Sequence, residues 1–195
     1  MTHEEPTSPP EQLAETPPGI WVGSLSDYNN GILHGSWTDP ARDVDEVVGD
    51  IQAMLAGSPT AAQTGLPADE WGIFDYEGFG PVSIGEYESL DFVTALARGI
   101  AEHGASYAAW ASIADRDEMD DYEDRFVAHV QSVDDYVADM VADLGYDQLL
   151  DDAVPPSIRP YVQIDIAALA HDMQLAGDIT PVSDGEGGYW LFHNR

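Results

Sequence analysis

Histidine and carboxylate side chains are the groups in this chain whose chemistry would suit acid–base catalysis or metal binding. The sequence has six His spread along 195 residues, and no two of them have the spacing of an H-E-x-x-H zinc site. His171 and Asp172 are adjacent, but one His-Asp dipeptide without further ligands does not define a metal site. The acids at 115–124 lack the spacing of a calcium-binding loop. The residues therefore predict no catalytic constellation, no metal site and no cofactor.

Two residue types that carry much of enzyme chemistry are missing. The sequence contains no Cys and no Lys, which excludes thiol catalysis, disulfides, Cys-ligated metals, Schiff bases and a P-loop lysine. No apolar run approaches the ~20 residues of a membrane span, and no signal peptide opens the chain. We therefore expect a cytoplasmic protein that is not an enzyme.

The charge balance limits the possible partners. Asp and Glu number 37 against 6 Arg, which gives a formal net charge of −31. This surface should repel nucleic acid and anionic membranes, which bind through Lys and Arg, and attract proteins that normally bind nucleic acid. Duplex DNA carries roughly one charge per 1.7 Å, so this charge matches about 53 Å, or ~15 base pairs. A salt-adapted or solubilising surface would give the same composition, and both interpretations stay open.

The acids are densest between Asp115 and Asp152, where 14 of them accompany two Arg. Asp135, Asp139 and Asp143 recur every four residues, which places them on one helix face about 6 Å apart. That spacing is near the ~7 Å between successive phosphates of one DNA strand. Like charges so placed destabilise an isolated helix by ~0.2–0.5 kcal/mol per pair. The alternative is an ordinary solvated helix face, but few cations are available to balance it.

The elements that would position these acids begin with a small ββαβ unit. Residues 20–25 and 32–37 read as two strands of a hairpin, joined by a turn. The remainder of the unit is predicted as an Asp39-capped helix that ends at Gly57, a loop at 58–69 and a third strand at 71–79.

A helical unit should follow. Ser83 and Glu86 have the pattern of a capping box, which predicts a helix that runs to about His103. Residues 106–114 predict a short Ala-rich helix, and the polar run at 115–124 connects it to the last unit.

The last unit mixes strands and helices. The pattern predicts a strand at 125–130, a Ser132-capped helix at 133–144, a helix within 158–173 and a terminal hairpin. The whole chain is therefore expected to be α+β, with a disordered tail at 1–19 and three small domains. Their boundaries are 20–82 (ββαβ), 83–121 (short helical) and 122–195 (C-terminal α/β with a hairpin).

Several passages, in order and at similar spacing, resemble the ArdA antirestriction family. They are S-D-Y-N-N-G-I-L-H-G-S-W at 26–37, W-G-I-F-D-Y-E-G-F-G at 71–80 with I-G-E-Y at 84–87, the stretch 154–173 and the terminal strand 189–195. The resemblance covers roughly residues 20–195. It implies a DNA mimic that occupies the DNA groove of Type I restriction–modification enzymes and inhibits restriction, and possibly modification, on behalf of mobile DNA.

The resemblance also implies an elongated chain of three small domains that forms a homodimer. Its antirestriction motif corresponds to the region that contains Leu149, Pro155, Ile158, Tyr161 and Asp165. Dimerisation is expected through the third domain, with Phe126, Val127 and His129 on the predicted strand as candidates. The acids expected to form the DNA-mimic surface are Asp115, Asp117, Glu118, Asp120, Asp121, Glu123, Asp124, Asp134, Asp135, Asp139, Asp143 and Asp147.

The rival hypothesis is an acidic, salt-adapted regulatory or scaffold module that binds some other basic protein. In neither case is direct nucleic-acid or membrane binding expected, since the net charge opposes both.

Overall fold

A computed structural model describes residues 16–194, and most of the predicted tail at 1–19 lies outside the described residues. Within this range the protein has nine α-helices and two antiparallel sheets of three strands each, which confirms the α+β class. The chain divides into two compact units, one that ends at Gly104 and one that begins at Ala105. No helix among the described residues has the length and apolar character needed to cross a bilayer.

The first unit places a three-stranded sheet against helices. Its sheet order is β2-β1-β3, and α2 packs against β1 and β2. Alternate residues of β1, Ile20 and Val22, are fully buried, as is Val47 of α2. The elements are β1 (Gly19–Ser24), α1 (Leu25–Asn29), β2 (Gly35–Thr38), α2 (Val44–Ala56), α3 (Pro59–Thr64), β3 (Trp71–Glu77) and α4 (Leu90–His103).

Two helices of this unit begin later than the sequence predicts. Asp39 does not cap α2, because its Oδ1 accepts a hydrogen bond from the N–H of Ala41 in a local turn, and Asp43 is the N-cap instead. The predicted capping box at Ser83 and Glu86 is also wrong, since α4 is capped at Ser89. There the carbonyl of Glu86 accepts a hydrogen bond from the N–H of Ile73 on β3 at 2.8 Å. That tertiary bond holds the segment before α4 in a non-helical conformation.

Two segments predicted as turn or loop contain short helices, which a buried carboxylate ties together. Residues 25–29 form α1, and the predicted loop at 58–69 contains α3. The side chain of Asp27 is fully buried, and its Oδ1 accepts a hydrogen bond from the N–H of Thr60 at 2.8 Å. Burial opposes its ionisation, but hydrogen bonds from Ser24, Ser58 and Thr60 outweigh burial and lower the pKa of Asp27. Asp27 thus remains a carboxylate inside the fold.

Among its described residues, the second unit contains a sheet of order β4-β6-β5, five α-helices and two 3-10 helices. Phe192 and Leu191 of β6 are fully buried, and the ring of Trp110 packs against Phe192 with centroids 5.4 Å apart. The elements are α5 (Ala105–Ala111), a 3-10 helix (Arg116–Asp121), α6 (Tyr122–Arg125), β4 (Phe126–Val130), α7 (Val133–Asp143), α8 (Tyr146–Ala153), a 3-10 turn (Arg159–Tyr161), α9 (Ile166–Ala176), β5 (Ile179–Ser183) and β6 (Tyr189–His193).

The strand, the Ser132-capped helix and the terminal hairpin of this unit are confirmed, while two other predictions are corrected. The polar run at 115–124 is not simply a connector, since Met119 and Tyr122 are buried within it. The Tyr122 hydroxyl lies 2.6 Å from the Ser106 Oγ. The helix predicted within 158–173 begins only at Ile166, because Asp165 caps it through the N–H of Ala168. The sequence pattern also gave no sign of α8.

Candidate functional site

Helix α7 presents the acidic stripe predicted from the sequence. Ser132 starts the helix, since its Oγ accepts a hydrogen bond from the N–H of Asp135 at 3.1 Å. The apolar face buries Val137 and Val141 against Ala170 of α9. That packing turns Asp135, Asp139 and Asp143 to solvent, and all three are exposed. We call these three residues the α7 stripe.

The α7 stripe has no counterion among the described residues. The ion pairs of Arg42, Arg98, Arg125 and Arg159 are made with other acids, namely Asp50, Asp43, Asp121, Asp147 and Asp151. Because neighbours four apart on a helix lie about 6 Å from each other, the stripe is a row of fixed, uncompensated negative charges. Such a row attracts a surface rich in Arg and Lys.

The four-residue repeat of aspartates does not continue as one stripe beyond Asp143. Gly145 adopts a positive φ of 68° between α7 and α8, a conformation that glycine takes without strain. Asp147 and Asp151 therefore lie on a different helix, where both contact Arg159. Asp147 thus shares one cation with Asp151 and is only partly compensated, whereas the sequence analysis grouped it with the free acids.

Most of the other predicted acids lie before β4. Asp115, Asp117, Asp120, Glu123 and Asp124 are exposed, and Asp134 is exposed at the start of α7. Asp121 forms an ion pair with Arg125 at 3.2 Å. Glu118 is half-buried, and its carbonyl accepts a hydrogen bond from the indole N–H of Trp110 at 3.3 Å. The exposed members of this group add further negative charge to the second unit.

Arg159 is a structural cation that the sequence analysis did not single out. Its guanidinium contacts Asp151 at 2.6 Å and Asp147 at 3.3 Å, and it donates to the carbonyl of Val162 at 2.8 Å. These bonds fasten α8 to the segment that follows it. One signal was available, since Arg159 is the only cationic residue in the sequence between 126 and 194 apart from His.

The predicted motif region includes Arg159 in its sequence range and exposes several apolar side chains. Leu149 is 59% exposed, Ile158 is 52% exposed and Tyr161 is 86% exposed. Pro155 is also exposed, while Asp165 is engaged as the N-cap of α9. The structure therefore brings these residues into one part of the second unit, around α8 and the turn after it.

The candidate dimer strand, β4, lies at the edge of its sheet and pairs with β6. Phe126 packs among the rings of Tyr122, Trp190 and Phe192. His129 stacks on Trp190 at 4.0 Å, and its Nε2 lies 2.7 Å from Asp184. That hydrogen bond, together with those from the N–H groups of Glu186 and Gly188, lowers the pKa of Asp184 to about 2. Phe126 and His129 are thus held within their own unit, whereas Val127 is half-buried.

The described residues contain no cluster of three or more His, Asp or Glu side chains placed to hold a metal ion. The acids of the second unit are spread along helices and do not converge on a common point. Their arrangement suits the binding of an extended cationic surface.

Comparison with known protein families identifies a match over most of the chain. The model of a family described as antirestriction protein, ArdA, covers residues 20–187. No sequence among curated proteins matches the chain significantly.

Proposed function

Because this chain belongs to the ArdA antirestriction family, we propose that it inhibits a Type I restriction–modification enzyme by occupying the groove in which that enzyme binds DNA. The family is one of inhibitors and not of enzymes. The observation that supports a DNA-mimic mechanism best is the α7 stripe, three exposed aspartates without a cationic partner among the described residues.

The mechanism needs no chemical step. A DNA-binding groove gains much of its affinity because its Lys and Arg release counterions from phosphates. Carboxylates held about 6 Å apart on a helix offer that groove charges at a spacing close to the ~7 Å between phosphates of one strand. A folded protein also avoids the ~1–6 kcal/mol that smooth bending of a 20–30 base-pair site costs. The protein therefore competes with DNA for the same cationic side chains.

In this proposal the mimic is a distributed charge surface. The exposed acids before β4 join the α7 stripe, and the whole chain carries a net charge of −31. Modification is blocked to the extent that it uses the same groove. We further propose that the protein acts in the cytoplasm, as an elongated homodimer of three-domain chains (20–82, 83–121 and 122–195), and that it pairs along the edge of β4.

A graded neutralisation series tests the distributed surface. Exposed acids are replaced by their amides in steps of one, about four and about ten, and inhibition of plasmid cleavage by the enzyme is titrated. We expect single changes to have little effect and the largest set to weaken inhibition strongly, because many phosphate-like contacts contribute to such binding. Circular dichroism and the urea midpoint check that each variant folds. Poly-aspartate of matched charge serves as the control for charge without fixed geometry.

Two results would contradict this mechanism. Loss of all inhibition after only three or four replacements, in a folded variant, would point to a discrete contact site. Equal inhibition by poly-aspartate would show that fixed carboxylate positions are unnecessary. A folded protein that never inhibits, and whose stability demands molar salt, would instead support the salt-adapted scaffold hypothesis.

A further inference from the structure

The sheet of the first unit has an aromatic face that its helices do not cover. Trp21 and Trp37 are paired across β1 and β2 and therefore lie on the same face. The register shift between β1 and β3 makes Phe74 the extra residue of a bulge. Trp37 is 50% exposed, so this face is open to solvent.

Glycines explain how two of these rings lie so close to the sheet. A Cβ at Gly23 would lie 2.7 Å from the Trp21 ring and 2.8 Å from the Phe74 ring. The Trp21 and Phe74 rings therefore have a structural role, because they cover strand backbone at a glycine that has no side chain of its own. It does not explain Tyr28 and Leu33 beside them, which are 59% and 74% exposed.

These side chains line two adjoining hollows. One, of about 480 Å³, is lined by Tyr28, Leu33, Ile73, Phe74 and Glu86. The other, of about 350 Å³, is lined by Trp21, Leu33, Trp37, Phe74 and Asp75. They share Leu33 and Phe74, and we call the two together the aromatic groove.

The charges at the aromatic groove are all of one sign. Asp75 and Glu86 line it. The side chains of Glu77 and Trp37 both lie next to Gly19, so Glu77 adds a third acid near the groove. Only two Arg occur in residues 1–104. Arg42 forms an ion pair with Asp50, and Arg98 forms one with Asp43 at 3.6 Å. Aromatic faces rimmed by carboxylates are suited to a guanidinium, which can stack on a ring and bond to a carboxylate at once.

We propose that the aromatic groove binds an arginine-bearing extended segment of a partner protein, with the guanidinium stacked on Trp37 or Phe74 and bonded to Asp75 or Glu86. This inference does not rest on the α7 stripe or on inhibition of restriction. A purely apolar partner would bury the carboxylates without compensation. A second copy of this chain would place like charges opposite each other. The chain's own residues 1–15 carry four Glu and no Arg, so their charge opposes occupancy.

The test uses the full chain and a fluorescein-labelled octapeptide in which two arginines alternate with valine and glycine. Binding is read as fluorescence anisotropy, and shifts of the indole N–H signals locate it. Trp37→Gln and, separately, Leu33→Gln remove apolar contacts at exposed positions, so that one folding failure does not end the test. We expect Trp37→Gln to weaken binding by about threefold to tenfold, and the lysine version of the peptide to bind more weakly than the arginine one.

A matched pair of charge variants separates the groove from general electrostatic attraction. D75N/E86Q removes two acids at the groove, whereas D45N/E46Q removes two exposed acids on α2, which packs against the sheet elsewhere. We expect a loss of about threefold or more only in the first variant. Three results would each overturn the assignment. They are equal losses in both charge variants together with no effect of Trp37→Gln, equal binding of the lysine and arginine peptides, and displacement of the probe by a peptide of residues 1–15 at a lower concentration than by the unlabelled arginine peptide.

Discussion

Replacement of Asp139 and Asp143 by Asn should stabilise the free protein at low salt, although both residues belong to the surface proposed to bind the enzyme. The two changes remove two like-charge contacts four residues apart, Asp135–Asp139 and Asp139–Asp143. Asp143 is also the last residue of α7, where the negative end of the helix dipole disfavours a carboxylate. A surface selected for binding would carry this unfavourable energy in the unbound state.

The size of the effect follows from the helix geometry. Each like-charge pair costs about 0.2–0.5 kcal/mol, and an acid at the wrong helix end costs about 0.3–1 kcal/mol. With no counterion for the stripe among the described residues, the sum is a gain on the order of 1 kcal/mol, since Asn and Asp have similar helix propensities. For a chain of this size, 1 kcal/mol raises Tm by about 2–4 °C.

Urea unfolding is the suitable assay because urea is uncharged. Unfolding followed by circular dichroism is compared at about 0.01 M and about 1 M salt, where the Debye length is ~30 Å and ~3 Å. The gain should appear at low salt and largely vanish at high salt. Asp135→Asn is the control, because its carboxylate lies in the first turn, where the dipole favours it and offsets the loss of repulsion. A variant D139N/D143N that is less stable at low salt, or a gain that persists at high salt, would refute the reasoning.

Three further changes test other parts of the fold by urea unfolding. Arg159→Gln should destabilise the chain by about 1–2 kcal/mol, since it leaves two exposed carboxylates and a backbone carbonyl without their donor. Arg159→Lys should retain only part of the wild-type stability, because the fork geometry of the guanidinium is lost. Full stability of Arg159→Gln would contradict the structural role of Arg159. Asp27→Ala should cost about 1–3 kcal/mol by leaving the N–H of Thr60 unpaired. Because the pKa of Asp27 is lower in the folded chain than its ordinary 3.8, the stability it contributes is complete above that value and declines as pH falls below it; the Ala variant should lack this decline. Gly35→Ala should cost about 1–3 kcal/mol through overpacking, because its Cβ would contact the Val22 carbonyl and the Trp21 ring; an unchanged urea midpoint would show that the strand can shift.

The sequence predicted best where a single local signal was unopposed. Helix α7 has one clear cap, Ser132, and one apolar face, so both its start and its exposed acids could be predicted. The first turn of α4 could not be predicted. The capping-box pattern at Ser83 favours an earlier start, but the hydrogen bond between Ile73 and Glu86 prevents a helix there. Competition between a local cap and a tertiary bond is not visible in residue spacing.

The sequence was sufficient to predict the negative charge of the candidate site, but not which acids form ion pairs with Arg. Exposure of the α7 stripe follows from the amphipathic pattern of the helix. The ion pair of Asp147 depends on the chain after α8 folding back so that Arg159, twelve residues away, reaches it. The aromatic groove likewise required the strand register, since Trp21, Trp37 and Phe74 come from three different strands.

A competition titration tests the central claim most directly. Purified protein is added to a Type I restriction enzyme bound to a labelled duplex that carries its target, and the retained DNA is measured at two salt concentrations. The account predicts displacement at a fixed stoichiometry that weakens as salt rises, because both ligands use the same cationic groove. Retention of all the DNA in the presence of excess folded protein would contradict it.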